Sequence, residues 1–419
     1  MNEWDFSPPP PSEMGDHDVP QEGEHLKGKR IALLITGGIA AMKAPLLARA
    51  LRRQGADVVA FVSQEALRYT TIDTLEWSTV NPVITRLTSA AEHLSDSAPF
   101  DAYVVAPATY NTINKIRYGI ADGVVTSSIA SAIGRMEQGK TRVLIVPTMH
   151  GSLHNSILTE SLKFLAGMGI RIVPPREDYG KHNIPSERAI VAEVCREVSQ
   201  SPLKGVSILV TGGPTPVPID NVRRITNRFR GRLGEKITEE LYLRGADVLL
   251  IHGDGAYRPR EHLPYVVART FDEYYDRVMQ TLQEKPYRIG IFSAAVADYQ
   301  PETVAEGKLP SGGFLQSIPL KPTVKVIEKV RERYPSLYMV TFKYQERISH
   351  DELMRVARER LEKYEAVVAN RGEEVGPQGE QVAYLLTRQE EPRKAMGKNN
   401  IARLIADHLE TVVQTSAAR

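Results

Sequence analysis

The stretch 206–237, VSILVTGGPTPVPIDNVRRITNRFRGRLGEKI, decides the fold. Its apolar run SILV reads as a strand that empties into Thr211-Gly212-Gly213, followed by a proline-rich loop. A polar cluster, 220–231, then opens a helix ending near Arg244-Gly245-Ala246-Asp247. A strand that runs into glycines at a helix start is an anion cradle, because free backbone N–H groups and the helix dipole face the same point. The pattern is echoed upstream in IALLITGGIAAMKAPLLARALRRQGADVVAF, residues 31–61, with Thr36 in the place of Thr211. Both units read strand, Thr-Gly-Gly, helix, Gly-Ala-Asp, strand. The expectation is an α/β chain with two Rossmann-like domains, each a mainly parallel sheet flanked by helices.

Working outward, residues 1–27 are proline-rich, acidic and aperiodic, which predicts a disordered N-terminal tail. In the domain at 28–198, strands are expected at 31–35, 58–62, 102–105 and 142–146, with a helix at 41–54. A further helix and strand occupy 160–173, and a closing helix lies at 186–198. The polar stretch 199–204 reads as a linker. In the domain at 205–419, strands are expected at 207–210, 248–252, 288–293, 338–342, 366–369 and 382–386, and a terminal helix at 398–412. The Pro/Gly-rich loop 299–319 is long enough to be an active-site flap.

Bulk properties narrow the function. With 419 residues, 42% hydrophobic and 25% charged, the chain has the composition of a globular protein with room for two cores. A net charge of +2 gives no reason to expect nucleic acid or an anionic membrane as partner. No apolar run reaches membrane-spanning length, and the N-terminus lacks a signal-peptide core, so a cytoplasmic location is expected. The single cysteine, Cys195, rules out internal disulfides and a Cys-rich metal site.

Two segments of the first domain fall at strand ends, where ligands of open α/β sheets bind. TGGIAAMK carries Thr36, Gly37, Gly38 and Ile39; PATYNT carries Pro107, Ala108, Thr109, Asn111 and Thr112. Either alone serves equally as a tight turn or a polar loop. Together they suit a planar, phosphorylated cofactor. These segments, with GIADGVVT (119–126), resemble the flavin-binding motifs of the FMN-dependent cysteine decarboxylases. Residues 28–412 as a whole resemble the bifunctional phosphopantothenoylcysteine decarboxylase/phosphopantothenate–cysteine ligases of coenzyme A biosynthesis.

The resemblance implies FMN in the first domain and a catalytic base at His93, which stands a few residues before PAT. A thiolate must form before FMN takes a hydride, and an imidazole suits that task. Two departures stand out. The family's Pro-x-Met-Asn segment is Pro147-Thr148-Met149-His150 here, which makes His150 the candidate carboxylate-binding catalytic residue. The family's cysteine-bearing flap corresponds to 176–186, which has no cysteine; His150, His154, Lys181 or His182 could bind the carboxylate or supply the proton.

In the second domain, TGGPTPVPIDNVRRITN resembles the family's ligase motif, with Gly212 and Gly213 at the nucleotide and Asn227 on the acyl-nucleotide intermediate. Asp220 and Asn227 also read as plain helix N-caps. SAAVADYQ and EGKL resemble the family's next two segments, and the resemblance implies Asp298 at the nucleotide and its Mg²⁺ and Lys308 against the charge that develops as phosphate leaves. Lys325 and Phe342 resemble residues of the eukaryotic ligases, some of which use ATP, whereas bacterial members prefer CTP, so the co-substrate is CTP or ATP. The implied small-molecule partners are 4′-phosphopantothenate, cysteine and a nucleoside triphosphate. The implied assembly is a homo-oligomer with trimeric flavin domains, whose sites borrow residues from a neighbour, and dimeric ligase domains. Two other readings stay open: a ligase with a degenerate flavin domain, and an oxidative flavin cysteine decarboxylase acting on another substrate.

Overall fold

Short, largely apolar strands form two main sheets in the computed structural model, which describes residues 5–94, 98–178, 180–310, 312 and 317–417. The chain divides into two compact units, Met1–Ser199 and Gln200–Arg419.

The first unit runs β1 (Arg30–Ile35), α1 (Ala44–Arg52), β2 (Asp57–Val62), α2 (Ile72–Thr79), β3 (Ala102–Ala108), α3 (Tyr110–Arg117), α4 (Val124–Glu137) and β4 (Arg142–Pro147). It continues β5 (Met149–His150), α5 (Ser156–Gly167), β6 (Arg171–Ile172), β7 (Arg176–Asp178), β8 (Lys181–Asn183) and α6 (Glu187–Val198). Its sheet has the order β2-β1-β3-β4-β6 and every pairing is parallel. Residues Ile31 to Ile35 and the whole of β3 are buried. Strands apolar on both faces are what a parallel sheet covered on both sides requires. Pro45 at the start of α1 shortens the helix expected from residue 41; a 3₁₀ turn at Ile39–Lys43 precedes it.

The tail departs from expectation. Residues 1–4 lie outside the described residues, but the segment from His17 packs on α1. Arg52 donates to the His17 carbonyl at 2.9 Å, the Leu26 N–H donates to Gln54 O at 2.8 Å, and Leu26 is fully buried. Composition predicted disorder because only two apolar side chains, Val19 and Leu26, carry the packing.

The second unit runs β9 (Ser207–Gly212), β10 (Val217–Pro218), β11 (Arg224–Ile225), α7 (Arg232–Leu243), β12 (Asp247–Gly253), β13 (Tyr265–Ala268), α8 (Phe271–Glu284) and β14 (Ile289–Phe292). Then come β15 (Tyr299–Pro301), β16 (Leu320–Pro322), α9 (Val326–Arg333), β17 (Tyr338–Gln345), α10 (His350–Arg360), β18 (Ala366–Arg371), β19 (Val382–Thr387), β20 (Arg393–Met396) and α11 (Lys398–Ala417). The sheet order is β13-β12-β9-β14-β17-β18-β19-β20, parallel as far as β18 and antiparallel at the last two strands. The polar cluster 220–231 does not open a helix. It holds half of an antiparallel hairpin, β10–β11, and a loop, and α7 begins only at Arg232 with Gly231 as its N-cap. Asp220 and Asn227 therefore cap nothing; polar residues that favour N-caps favour turns for the same reason.

The expected flap opens with β15, which pairs with β16 just beyond it. Residues 311 and 313–316 of that loop lie outside the described residues.

Candidate active sites

A cavity of about 1350 Å³ opens at the carboxyl ends of β1, β2, β3 and β4. Thr36, Gly37, Gly38, Ile39, Pro107, Thr109, Asn111, Thr112 and His150 line it. Ala108 is buried in β3 and does not. The rim is tied together by Thr36, whose Oγ1 donates to Pro107 O at 2.6 Å and accepts from the Thr109 N–H at 3.3 Å. Thr109 in turn caps α3, its Oγ1 accepting from the Thr112 N–H. A side chain at Gly37 would collide with Glu65, so only glycine lets β1 turn into the 3₁₀ helix beneath this loop. Size, position and exposed backbone donors fit a phosphorylated planar group. Gln64, Glu65, Lys115 and Asp122 also line the cavity, and Lys115 pairs with Asp122 at 2.6 Å. The carboxyl-edge rule points to Gln64 and Glu65, which follow β2, and Asp122 lies in the GIADGVVT segment; nothing in the sequence flagged Lys115.

Strands β5, β7 and β8 form a small antiparallel sheet at the mouth, in the order β5-β8-β7. It brings His150, Lys181, His182 and Asn183 to the cavity. His150 Nδ1 accepts from the Ser152 N–H at 3.3 Å, which leaves Nε2 as the ring's donor. Position 179 within the cysteine-free segment 176–186 lies outside the described residues. Cys195, on α6, is buried and is not a lining residue. His93 is not brought to the cavity of its own chain. It sits partly buried on the irregular segment before 95–97, with no hydrogen-bond partner for Nδ1 among the described residues.

In the second unit, the loop after β9 zips along the loop after β14. Ala295 N–H donates to Gly213 O at 2.9 Å, and Ala297 N–H donates to Thr215 Oγ1 at 2.8 Å. Gly213 has φ +78°, and a Cβ there would stand 2.9 Å from the Gly253 backbone and from His252 Cε1. His252 is fully buried, and burial lowers its pKa, so the ring beneath this loop is neutral at physiological pH.

Asn227 donates to Ala295 O at 2.8 Å, which places it over the same junction. Asp298 follows directly and is ion-paired to Lys325. Asp298, Lys325 and Phe342 line a cavity of about 550 Å³ with Lys343, Arg360, Lys363 and Glu359. Burial, and then the Arg360 guanidinium, lower the Lys343 ammonium. A cavity lined by four cations, and by aromatic rings that include Phe342 and Tyr364, suits a polyanion carrying a base. Gly212, Gly213, Asn227 and Lys308 lie outside this cavity.

Lys308 is exposed, yet its neighbours are fixed. The Leu309 N–H donates to Asp220 Oδ2 at 3.0 Å, and the Asn221 N–H donates to Gly307 O at 3.1 Å. Burial pushes the Asp220 carboxyl up. The Arg223, Val222 and Leu309 N–H groups and the Arg223 guanidinium outweigh this and bring its pKa to about 2.

Among the described residues, no group of three or more His, Cys, Asp or Glu could hold a metal ion, and no helix is long and apolar enough to cross a membrane. Mg²⁺ is usually bound through one or two carboxylates together with phosphate and water rather than by a protein cage.

Residues 20–199 match the flavoprotein family model, and residues 203–413 match that of the DNA/pantothenate metabolism flavoprotein C-terminal domain. The chain is 33% identical over 400 residues to the coenzyme A biosynthesis bifunctional protein CoaBC of Thermococcus kodakarensis, covering 93% of this chain and 96% of that one. It is 30% identical over 348 residues to the protein of the same name from Methanocaldococcus jannaschii, covering 82% and 84%. The solved DNA/pantothenate metabolism flavoprotein from Streptococcus pneumoniae is 27% identical, with a TM-score of 0.45, over 50% of this chain and all of that one.

Proposed function

Because the chain belongs to the bifunctional CoaBC family of coenzyme A biosynthesis, we propose that its second unit joins 4′-phosphopantothenate to cysteine and its first decarboxylates the product to 4′-phosphopantetheine. The observation that carries this reading is that each sheet ends, at its carboxyl edge, in a cavity lined by motif residues. These are Thr36 to Ile39 with Pro107, Thr109, Asn111 and Thr112 in the first unit and Asp298, Lys325 and Phe342 in the second, with Asn227 bonded to Ala295 beside the latter.

In the second unit, CTP or ATP occupies the cavity of Asp298, Lys325 and Phe342, its polyphosphate reaching towards Gly212 and Gly213. Asp298 would hold Mg²⁺, which would supply positive charge against the polyphosphate. The substrate carboxylate displaces pyrophosphate, and Asn227 holds the resulting acyl-nucleotide. Lys308, fixed through its neighbours, offsets the charge that builds as the carboxylate attacks, which electrostatic stabilisation requires. Cysteine nitrogen then displaces the nucleoside monophosphate.

In the first unit, Thr36, Gly37, Gly38, Ile39, Pro107, Ala108, Thr109, Asn111 and Thr112 hold FMN, with Ala108 acting from within β3. FMN supplies a reversible two-electron acceptor for the substrate thiol. His93 takes the thiol proton. Since His93 stands outside its own chain's cavity, it serves the flavin of a neighbouring copy in a homo-oligomer, with trimeric flavin domains and paired ligase domains. His150, with Nε2 free to donate, holds the carboxylate that leaves as carbon dioxide. The reading places the enzyme in the cytoplasm.

The test is mass spectrometry of one reaction containing the full chain, 4′-phosphopantothenate, cysteine, Mg²⁺ and either CTP or ATP. Phosphopantothenoylcysteine followed by phosphopantetheine is expected. A reaction that halts at phosphopantothenoylcysteine removes the decarboxylase half, and no condensation with either nucleotide removes the ligase half.

A further inference from the structure

Decarboxylation of this substrate through a flavin has two ends. Loss of carbon dioxide from the thioaldehyde leaves an enethiol, R–CH=CH–SH, and completion to R–CH₂–CH₂–SH takes one hydride and one proton. The hydride carries the electron pair that the thiol gave up at the start. The proton needs an acid within reach of the substrate, and the chain's one thiol, Cys195, is buried on α6 away from the cavity.

The hairpin β7–β8 offers a different acid. His182 lines the cavity with its side chain 19% exposed. Its Nδ1 is buried and has no hydrogen-bond partner among the described residues. Glu177 is its register partner on β7, and Met149 its partner on β5, so the three side chains share one face of the sheet. Glu177 Oε1 stands 3.9 Å from His182 Nδ1, one side-chain rotation short of a hydrogen bond, and is itself exposed to water. A carboxylate on Nδ1 fixes the tautomer and stabilises the imidazolium, which leaves the other nitrogen to work as the acid. The His154 ring lies 4.5 Å from that of His182 and restrains it from one side. The hairpin turn is seated too, since the Gly180 carbonyl packs where a side chain at Gly151 would have to go.

We propose that His182, oriented by Glu177, returns the proton that completes the reaction, so that this enzyme closes its cycle with an imidazole rather than a thiol. The inference rests on the decarboxylase reading above. The proton leaves the imidazolium and bonds to the carbon that lost carbon dioxide, using the C=C π pair. The hydride bonds to the carbon bearing sulfur. Water past the exposed Glu177 carboxylate reloads the ring. Glu177 is a positioning residue, and His182 the group that meets the substrate.

The experiment supplies phosphopantothenoylcysteine to the FMN-loaded full chain and its variants. Carbon dioxide, the mass of the product and the flavin absorbance without oxygen are followed together. His182→Gln is expected to release carbon dioxide but to yield mainly a product lighter by two hydrogens, with the saturated product down about 10²-fold. Its flavin should remain bleached after one turnover. His182→Cys, which restores an acidic proton, should recover saturated product, and Glu177→Gln should move the pH profile of the reductive step alone. Equal product ratios in wild type and His182→Gln overturn the proposal, as does a wild type that makes only the lighter product. A wild type that releases no carbon dioxide overturns the decarboxylase reading and this proposal with it. Should His182→Gln fail to retain flavin, an unchanged pH profile in Glu177→Gln overturns the dyad by itself.

Discussion

Asp220 accepts the backbone N–H of Leu309 at 3.0 Å, and through that bond a fully covered carboxylate holds the residue next to Lys308. The same carboxylate accepts from Arg223 and Val222, so one side chain joins the hairpin β10–β11 to the loop that carries the lysine. Replacing Asp220 by Asn removes the charge and part of this set. Ligation is expected to slow by about 10²-fold through misplacement of Lys308, while decarboxylation of supplied phosphopantothenoylcysteine is unchanged. Parallel assays of the two half-reactions check this. With a pKa of about 2 against an ordinary 3.8, the carboxylate's contribution is complete above about pH 4 and is lost only as pH falls towards 2. A neutral-range pH dependence of ligation therefore has another source.

Lys325 and Asp298 pair in the open, with side chains 57% and 68% exposed, so the pair adds at most about 1 kcal/mol to stability. Lys325→Met should leave the melting temperature in place and raise the KM for the nucleotide about tenfold, the worth of one lost charge-assisted bond. Initial rates against nucleotide concentration, with a thermal melt beside them, separate the two effects. A melt that moves with the KM would mean the lysine is structural.

Thr36 both donates and accepts at the rim of the first unit's cavity. Thr36→Val keeps the shape and removes both bonds, leaving the Thr109 N–H without its acceptor. FMN retention should fall about tenfold, read as the ratio of flavin to protein absorbance after purification, with ligation untouched.

His408 on α11 shares a 2.7 Å hydrogen bond with Tyr338. Burial, and then the nearby Arg393, push its pKa down to about 4 from the ordinary 6.5. The folded state thus binds fewer protons than the unfolded one between these values. The stability it confers is complete above about pH 6.5 and is lost as pH falls to 4, by about 3 kcal/mol. Hydrogen exchange across α11 in the full chain should quicken between pH 6.5 and 5 after correction for intrinsic rates. His408→Gln should flatten that dependence.

Much of this was legible because strand and cradle signals are local. The two Thr-Gly-Gly turns, each at the end of an apolar strand and followed by a helix and Gly-Ala-Asp, set two mainly parallel sheets, and the carboxyl-edge rule then gathers Thr36, Pro107, Thr109 and Asn111 about one cavity. The hairpin at Val217–Ile225 was not legible, since Asp220 and Asn227 satisfy turn and cap chemistry equally. Nor were Arg360 and Lys115, which reach their cavities only because α10 and α3 present them there. The packing of the N-terminal segment rests on two apolar side chains, Val19 and Leu26, in a run whose composition says coil. The motif spacing that singles out His93 does not show that its segment stands away from the cavity of its own chain.

Cys195 is the chain's one cysteine, and it is shut away on α6 at 1% exposure. An enzyme whose substrates are themselves thiols thus presents no sulfhydryl of its own to them. Mixed disulfides with free cysteine have nowhere to form, and alkylating or disulfide-forming inhibitors aimed at a mobile thiol would find no target on this surface. The same silence is useful at the bench: a cysteine introduced anywhere on the exterior would be the sole reactive handle for a spectroscopic label.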